Sequence, residues 1–237
     1  MNDGAAPATE SAEGKMRPVR PRDAASLIIF REGRSGAEIL MGRRASKSRF
    51  MPDVYVFPGG TVDSTDARAR PATHLDPDLT GLLAVGGRAS RARALAMAAV
   101  RETFEETGLI LGQPGHPGGV KDPSWQAMAA QGLAPDLARL RYVGRAITPT
   151  ASPIRFHARF FRVSAEHLHG SARASSELGD PRWVAVSDLG TLPLAGITRF
   201  ILRHATRQLE QPDDPQSSCV FPYTEHGRRV RYEGGNS

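Results

Sequence analysis

The twenty residues from Arg91 to Ile110, RARALAMAAVRETFEETGLI, constrain this chain more than any other stretch. They are rich in Ala and free of Pro and Gly until Gly108, which predicts a helix of four to five turns closed by Gly108 in the left-handed conformation. At about 100° per residue, Met97, Val100 and Phe104 form one apolar stripe and Glu102, Glu105 and Glu106 gather roughly opposite. The helix is therefore expected to bury one side and present three carboxylates on the other. Like charges three and four residues apart repel by a few tenths of a kcal/mol per pair, and Glu105 and Glu106 lie at the helix end where the macrodipole disfavours anions. A solvated acidic face is one explanation; a divalent cation that relieves the repulsion is the other. All-oxygen ligation of this kind suits Mg²⁺ or Mn²⁺ rather than Zn²⁺.

A second stretch weighs on that choice. In Val56-Phe57-Pro58-Gly59-Gly60 the proline fixes φ, the glycine pair permits a turn barred to side chains, and the apolar run from Val54 to Phe57 leads into it. A strand is expected to end there with bare backbone facing the acidic helix. Gly60, Arg101, Glu102, Glu105, Glu106, Gly108 and Leu109 together resemble the box of the Nudix hydrolase family. That box reads Gly, five residues, Glu, seven residues, then Arg-Glu-apolar-any-Glu-Glu-any-Gly-apolar. The departures are specific. Asp66 stands where the box has Glu, Thr103 stands at an apolar position, and 35 positions separate Asp66 from Arg101 where the box has 8, an insertion of 27 residues. The inserted segment, roughly 67–90, is expected to form a surface excursion beside the site, outside the core.

Upstream, Ala24 to Phe30 and Ala37 to Arg43 read as strands joined by a turn, followed by the basic run Arg43-Arg44-Ala45-Ser46-Lys47-Ser48-Arg49. Leu40, Arg44, Ala45, Arg49 and Phe57 to Gly60 align without a gap with a pattern of the coenzyme A diphosphatase branch of the same family. Met41, Gly42 and Asp53 depart from it, Asp53 standing at a Gly position. The resemblance implies that Arg44 and Arg49 grip phosphate oxygens through charge-assisted hydrogen bonds; a solvated basic loop is the plain alternative.

Downstream, residues 112–119 read as a linker, 124–130 and 135–139 as short helices, and 142–147, 155–163 and 182–186 as strands. Residues 193–209 read as an amphipathic helix with Ile197, Phe200, Ile201 and Leu202 inward. His157 falls within a strand alternation and reads as a core or edge histidine; His167 and His169 find no partner cluster. Glu177 sits where the family often supplies a further acid from a loop facing the helix.

Composition excludes several classes. A single cysteine, Cys219, rules out an internal disulfide framework and a multi-cysteine zinc site, which fits a cytoplasmic protein. No apolar run reaches the roughly 18 residues of a membrane span. Residues 1–20 read as a disordered leader before one domain from 21 to 237, whose Pro-rich tail begins near Gln211. The +6 formal charge comes from dispersed arginines without a nucleic-acid-binding motif, so an anionic phosphorylated small molecule accounts for it better than nucleic acid. Association as a homodimer stays open.

The resemblance implies an α/β (α+β) Nudix fold, a mixed β-sheet sandwiched between helices. It implies Mg²⁺- or Mn²⁺-dependent hydrolysis of a diphosphate substrate. Glu102, Glu105 and Glu106 would be the metal ligands, with the Gly60 carbonyl completing the shell. Arg101 would orient the acids, Gly59, Arg44 and Arg49 would meet the substrate, and Asp66 and Glu177 would be further acids.

Overall fold

The apolar run Ala24 to Phe30 forms the middle of β1 (Arg22–Gly33), which turns back at Gly36 into β2 (Gly36–Arg44). The structure, a computed structural model, describes residues 19–48, 51–83, 88–211, 219–224 and 228–233, the last two segments by their backbone. The expected leader, but for its last two residues, therefore lies outside the described residues, as does Arg49. After β2 come β3 (Tyr55–Val56), β4 (Gly59–Thr61), α1 (Ser64–Arg68), α2 (Pro77–Leu83) and α3 (Ala89–Thr107). Next are β5 (Ile110–Pro114), α4 (Pro123–Ala130), β6 (Leu133–Pro135), β7 (Arg141–Ile147), β8 (Phe156–Ser164) and β9 (Leu168–His169). The chain continues through β10 (Leu178–Ala185), α5 (Gly196–Glu210), β11 (Cys219–Thr224) and β12 (Arg228–Glu233).

The main sheet runs β10-β2-β1-β8-β7-β11-β12, with β3 paired to β2 and β4 to β1. It is mixed: β1 with β8 and β7 with β11 are parallel, and the other pairs are antiparallel. A small sheet, β6-β5-β9, lies beside it. Both faces of the central strands are covered, which is why Leu27 to Phe30 of β1 and Ile39 to Met41 of β2 are apolar without a break. Ala25, Leu27 and Ile29 of β1, Leu40 of β2 and Phe161 and Val163 of β8 share a core with α3. Ile28, Phe30, Ile39, Met41 and Phe160, pointing the other way, share a second core with Ile201, Leu202 and Ala205 of α5. Each fully buried side chain of this size contributes about 1.5 to 3 kcal/mol. Ile197 and Phe200 are partly buried against the second core.

Helix α3 departs from the expected one-sided burial. From Ala92 to Val100 every side chain except Arg93 is buried. The sheet packs on one side and α1, α2 and α4 on others; the five alanines of this stretch are what allow such close approach. Phe104, expected in the buried stripe, is only partly buried. The inserted segment is also more than a surface excursion. Ala69, Leu79 and Leu83 are buried in the same core as Leu95 and Met97. The reason lies in the wide circumference of α3, which the sheet alone cannot cover.

Two further expectations are revised. Residues 112–114, the start of the expected linker, belong to β5 (Ile110–Pro114), which pairs with both β6 and β9. The C-terminal tail contains a hairpin, β11 and β12, that extends the main sheet beyond β7. No helix among the described residues is long and apolar enough to cross a membrane.

Candidate active site

The last two turns of α3 face β4, which is held on β1 in the register Ala24↔Thr61, Ala25↔Gly60 and Ser26↔Gly59. The Pro58 carbonyl accepts from the Leu27 amide at 3.0 Å, and Phe57 meets Phe160 edge-on with ring centroids 6.2 Å apart. These anchors place the glycine pair against the acids. The Gly59 N–H donates to Glu106 Oε2 at 2.8 Å. A Cβ on Gly60 would lie 2.5 Å from Glu102 Cδ, so a residue without a side chain is required for this approach.

Arg101, which is 5% exposed, organises the acids. Its Nε and Nη2 grip the Asp66 carboxylate at 2.8 and 3.0 Å, Nη2 also donates to the Thr61 carbonyl at 2.9 Å, and Nη1 meets Glu102 Oε1 at 3.0 Å and Glu105 Oε2 at 3.1 Å. The two-point contact with Asp66 supplies the planar fork that only arginine offers. Asp66 is fully buried and also accepts from the Asp63 amide at 2.7 Å, completing the capping box that starts α1. Asp66 thus supports Arg101 from behind, and its oxygens do not reach the front of the site as a further acid would. Burial pushes the Asp66 carboxyl up, against the opposing pull of the Arg101 fork, and the three carboxylates around Arg101 hold its guanidinium firmly protonated.

The front of the cluster is poor in compensating charge. Burial pushes the Glu106 carboxyl up to about 8, with repulsion from Glu102 and Glu177 adding to it and the Gly59 amide and Arg44 opposing. Glu102 is pushed up to about 7, again chiefly by burial, with Arg101 opposing and Glu105 and Glu177 adding. The exposed Glu177 is therefore brought into the field of both acids by the loop before β10, whose carbonyl at Glu177 accepts from the Ala45 amide at 3.1 Å. Arg44, at the end of β2, is half-buried in the field of Glu106 and Glu177. Among the described residues no three acid, histidine or cysteine side chains stand at metal-ligand spacing. Glu105 has both oxygens engaged, Oε1 by Ser124 Oγ at 2.5 Å and Oε2 by Arg101. The donor chemistry still fits a hard divalent cation: carboxylate oxygens from one turn of α3 converge, and repulsion from neighbouring acids adds to the burial that raises Glu102 and Glu106.

The sequence departures have local explanations. Asp53, at the position where the coenzyme A pattern has Gly, adopts φ 60°, the left-handed region that glycine serves and that Asp tolerates best among charged residues. Ser46 Oγ at 2.9 Å and Arg43 at 3.0 Å hold its carboxylate. Thr103 is fully buried, and its hydroxyl donates to the Ala99 carbonyl at 2.7 Å within the helix, so the hydroxyl is satisfied where an apolar residue is usual.

The histidines lie elsewhere. His157 Nε2 accepts from Arg145 Nη1 at 3.2 Å near Asp23 and Arg159, and burial together with these arginines pulls it down to about 3. His169 contacts the Gly112 carbonyl at 2.9 Å. Ser124 is the site residue that sequence reasoning missed. The run Asp122-Pro123-Ser124 signals a helix start, but nothing in it tells that the hydroxyl reaches α3.

Comparison with known proteins agrees with this geometry. The sequence profile described as the NUDIX domain matches residues 20–205. Nudix hydrolase 7 of Caenorhabditis elegans is 26% identical over 175 residues, covering 69% of this chain and 51% of that protein. Acyl-coenzyme A diphosphatase NUDT19 of Xenopus laevis is 31% identical over 106 residues, covering 34% of this chain and 27% of that protein. The chain thus spans about half or less of the length of these curated relatives. The crystal structure of a NUDIX hydrolase from Alicyclobacillus acidocaldarius superposes with a TM-score of 0.59 at 32% identity, covering 78% of this chain and 90% of that one. With the sheet, the glycine pair and the Arg101-centred acids arranged as described, and with the profile covering most of its length, the chain belongs to the NUDIX family.

Proposed function

We propose that this protein is a divalent-metal-dependent pyrophosphohydrolase that cleaves a nucleoside diphosphate linked to another moiety, with coenzyme A as its substrate. The observation that carries the reading is the pair Glu102, partly buried, and Glu106, buried, both raised chiefly by burial with repulsion from neighbouring acids adding, and set against the bare backbone of Gly59 and Gly60. Glu102, Glu105, Glu106 and the Gly60 carbonyl would hold Mg²⁺ or Mn²⁺. When bound, such an ion neutralises diphosphate charge and lowers the pKa of water. Arg101 keeps the acids in place, and Arg44 adds positive field where a phosphate would sit. Attack of water on phosphorus breaks the bridging P–O bond. One carboxylate of the site, Glu177 included, takes the water proton, and the bridging oxygen leaves with the second phosphate.

Support for coenzyme A comes from the aligned basic loop, from Asp53 reproducing the backbone shape of the missing Gly, and from the similarity to NUDT19. The products would be a phosphopantetheine species and adenosine 3′,5′-bisphosphate. A screen of coenzyme A, dinucleotides and nucleotide sugars with Mg²⁺ and Mn²⁺, products identified by mass, tests this. Faster turnover of a dinucleotide or nucleotide sugar overturns the coenzyme A reading alone. No turnover of any diphosphate rejects the hydrolase in favour of a ligand sensor. Glu106→Gln is expected to cut kcat by orders of magnitude with the fold intact. Arg49→Glu should lower kcat/KM about tenfold to a hundredfold for coenzyme A but not for dephospho-coenzyme A, the worth of a charged hydrogen bond to the 3′-phosphate. Equal losses would assign Arg49 to the shared diphosphate.

A further inference from the structure

Glu105 is the most exposed of the three helix acids, with 38% of its side chain open to solvent, yet neither of its oxygens is loose. Arg101 holds one, and the 6%-exposed Ser124 donates to the other at 2.5 Å. Ser124 is itself fixed. It is the second residue of α4, whose N-cap Asp122 accepts from the Ser124 amide at 3.0 Å and the Trp125 amide at 3.2 Å. Asp122 also accepts from Thr65 of α1 at 3.4 Å, and Trp125 and Met128 anchor α4 with no exposure at all. A flexible acid on α3 is thus tied to a rigid hydroxyl on another helix.

We infer that Ser124 is a positioning residue that freezes the Glu105 carboxylate in the orientation in which it meets a divalent cation. A carboxylate offers about four lone-pair sites; Ser124 and Arg101 occupy two and leave the others available. Without the hydroxyl, Glu105 would swing on the remaining contact with Arg101, and its ordering would be charged to metal binding instead of to folding. This inference rests on the metal-dependent hydrolase reading, and the experiment separates the two.

Calorimetric titration of Mn²⁺ into metal-free wild-type protein, Ser124→Ala, Glu105→Gln and the double variant is the test. The expected result is a Kd weakened about threefold to tenfold in Ser124→Ala, the cost of ordering one side chain, with the metal-free melting temperature little changed. In the Glu105→Gln background the same serine change should have no further effect, because Ser124 acts through Glu105. An unchanged Kd in Ser124→Ala, or an equal loss in both backgrounds, overturns the positioning role while wild-type binding upholds the parent reading. Absence of Mn²⁺ binding by the wild type at millimolar concentration overturns both. Ser124→Cys, similar in size and a weak donor, repeats the comparison if the alanine variant folds poorly, with the same outcomes deciding.

Discussion

At the scale of single residues, Asp53, Thr103 and Asp66, which depart from the family pattern, are each accommodated by their local surroundings. Asp53 supplies the left-handed backbone of a glycine, and Thr103 satisfies its hydroxyl inside the helix. Asp66, one methylene shorter than Glu, reaches Arg101 because α1 begins at the site and brings the acid close. The acids in front carry a measurable consequence. Glu102 and Glu106 have folded-state values near 7 and 8, above the ordinary 4.5, so the metal-free native state binds more protons than the unfolded chain between those limits. Their contribution is present below about pH 4.5 and is lost as pH rises through 7 to 8. His157, pulled down to about 3, works in the opposite direction and only below its ordinary 6.5. Between pH 6.5 and 8.5 the melting temperature in EDTA should therefore fall, and fall less in Glu106→Gln. Parallel curves for the two proteins would contradict the assignment.

At the scale of elements, α3 is both core and site. Its first half is buried by alanines, and its last turns carry the acids, so the point where it ends is held tightly. Gly108 closes it at φ 76°, its amide donating to the Phe104 carbonyl at 2.8 Å. A Cβ there would also lie 2.7 Å from Arg173 Nε. Gly108→Ala is expected to destabilise the protein by about 1 to 2 kcal/mol, from the left-handed backbone and the displaced arginine. Urea unfolding measures it; a neutral or stabilising result would show that the cap relaxes without cost.

At the scale of the molecule, two cores on opposite faces of one sheet give the site its rigidity, and the inserted segment belongs to one of them. Leu83, at 1% exposure, packs with the α3 core, so Leu83→Ala should cost about 2 to 5 kcal/mol. A surface side chain would change stability by less than about 0.5 kcal/mol. Equilibrium unfolding distinguishes the two, and a change within the surface range would return the insert to the periphery.

The α3 helix, its glycine end, the strands β1, β2, β7 and β8 and the Gly59-Gly60 turn were legible in the sequence, because periodicity, helix propensity and the special backbone freedom of glycine are local properties. The family resemblance also implied that Arg101 orients the acids, and its pairing with Glu105, four residues on, is a neighbour relation that any helix supplies. What the tertiary structure alone decided are relations between distant segments. Asp66 meets Arg101 across 35 positions, and Ser124 meets Glu105 across 19. Leu79 and Leu83 enter the core from an insert whose composition reads as loop, and the Pro-rich tail contributes two strands, the first of which pairs with β7. Local pattern sets which groups a segment needs to satisfy; only the packing of elements decides which partner satisfies them.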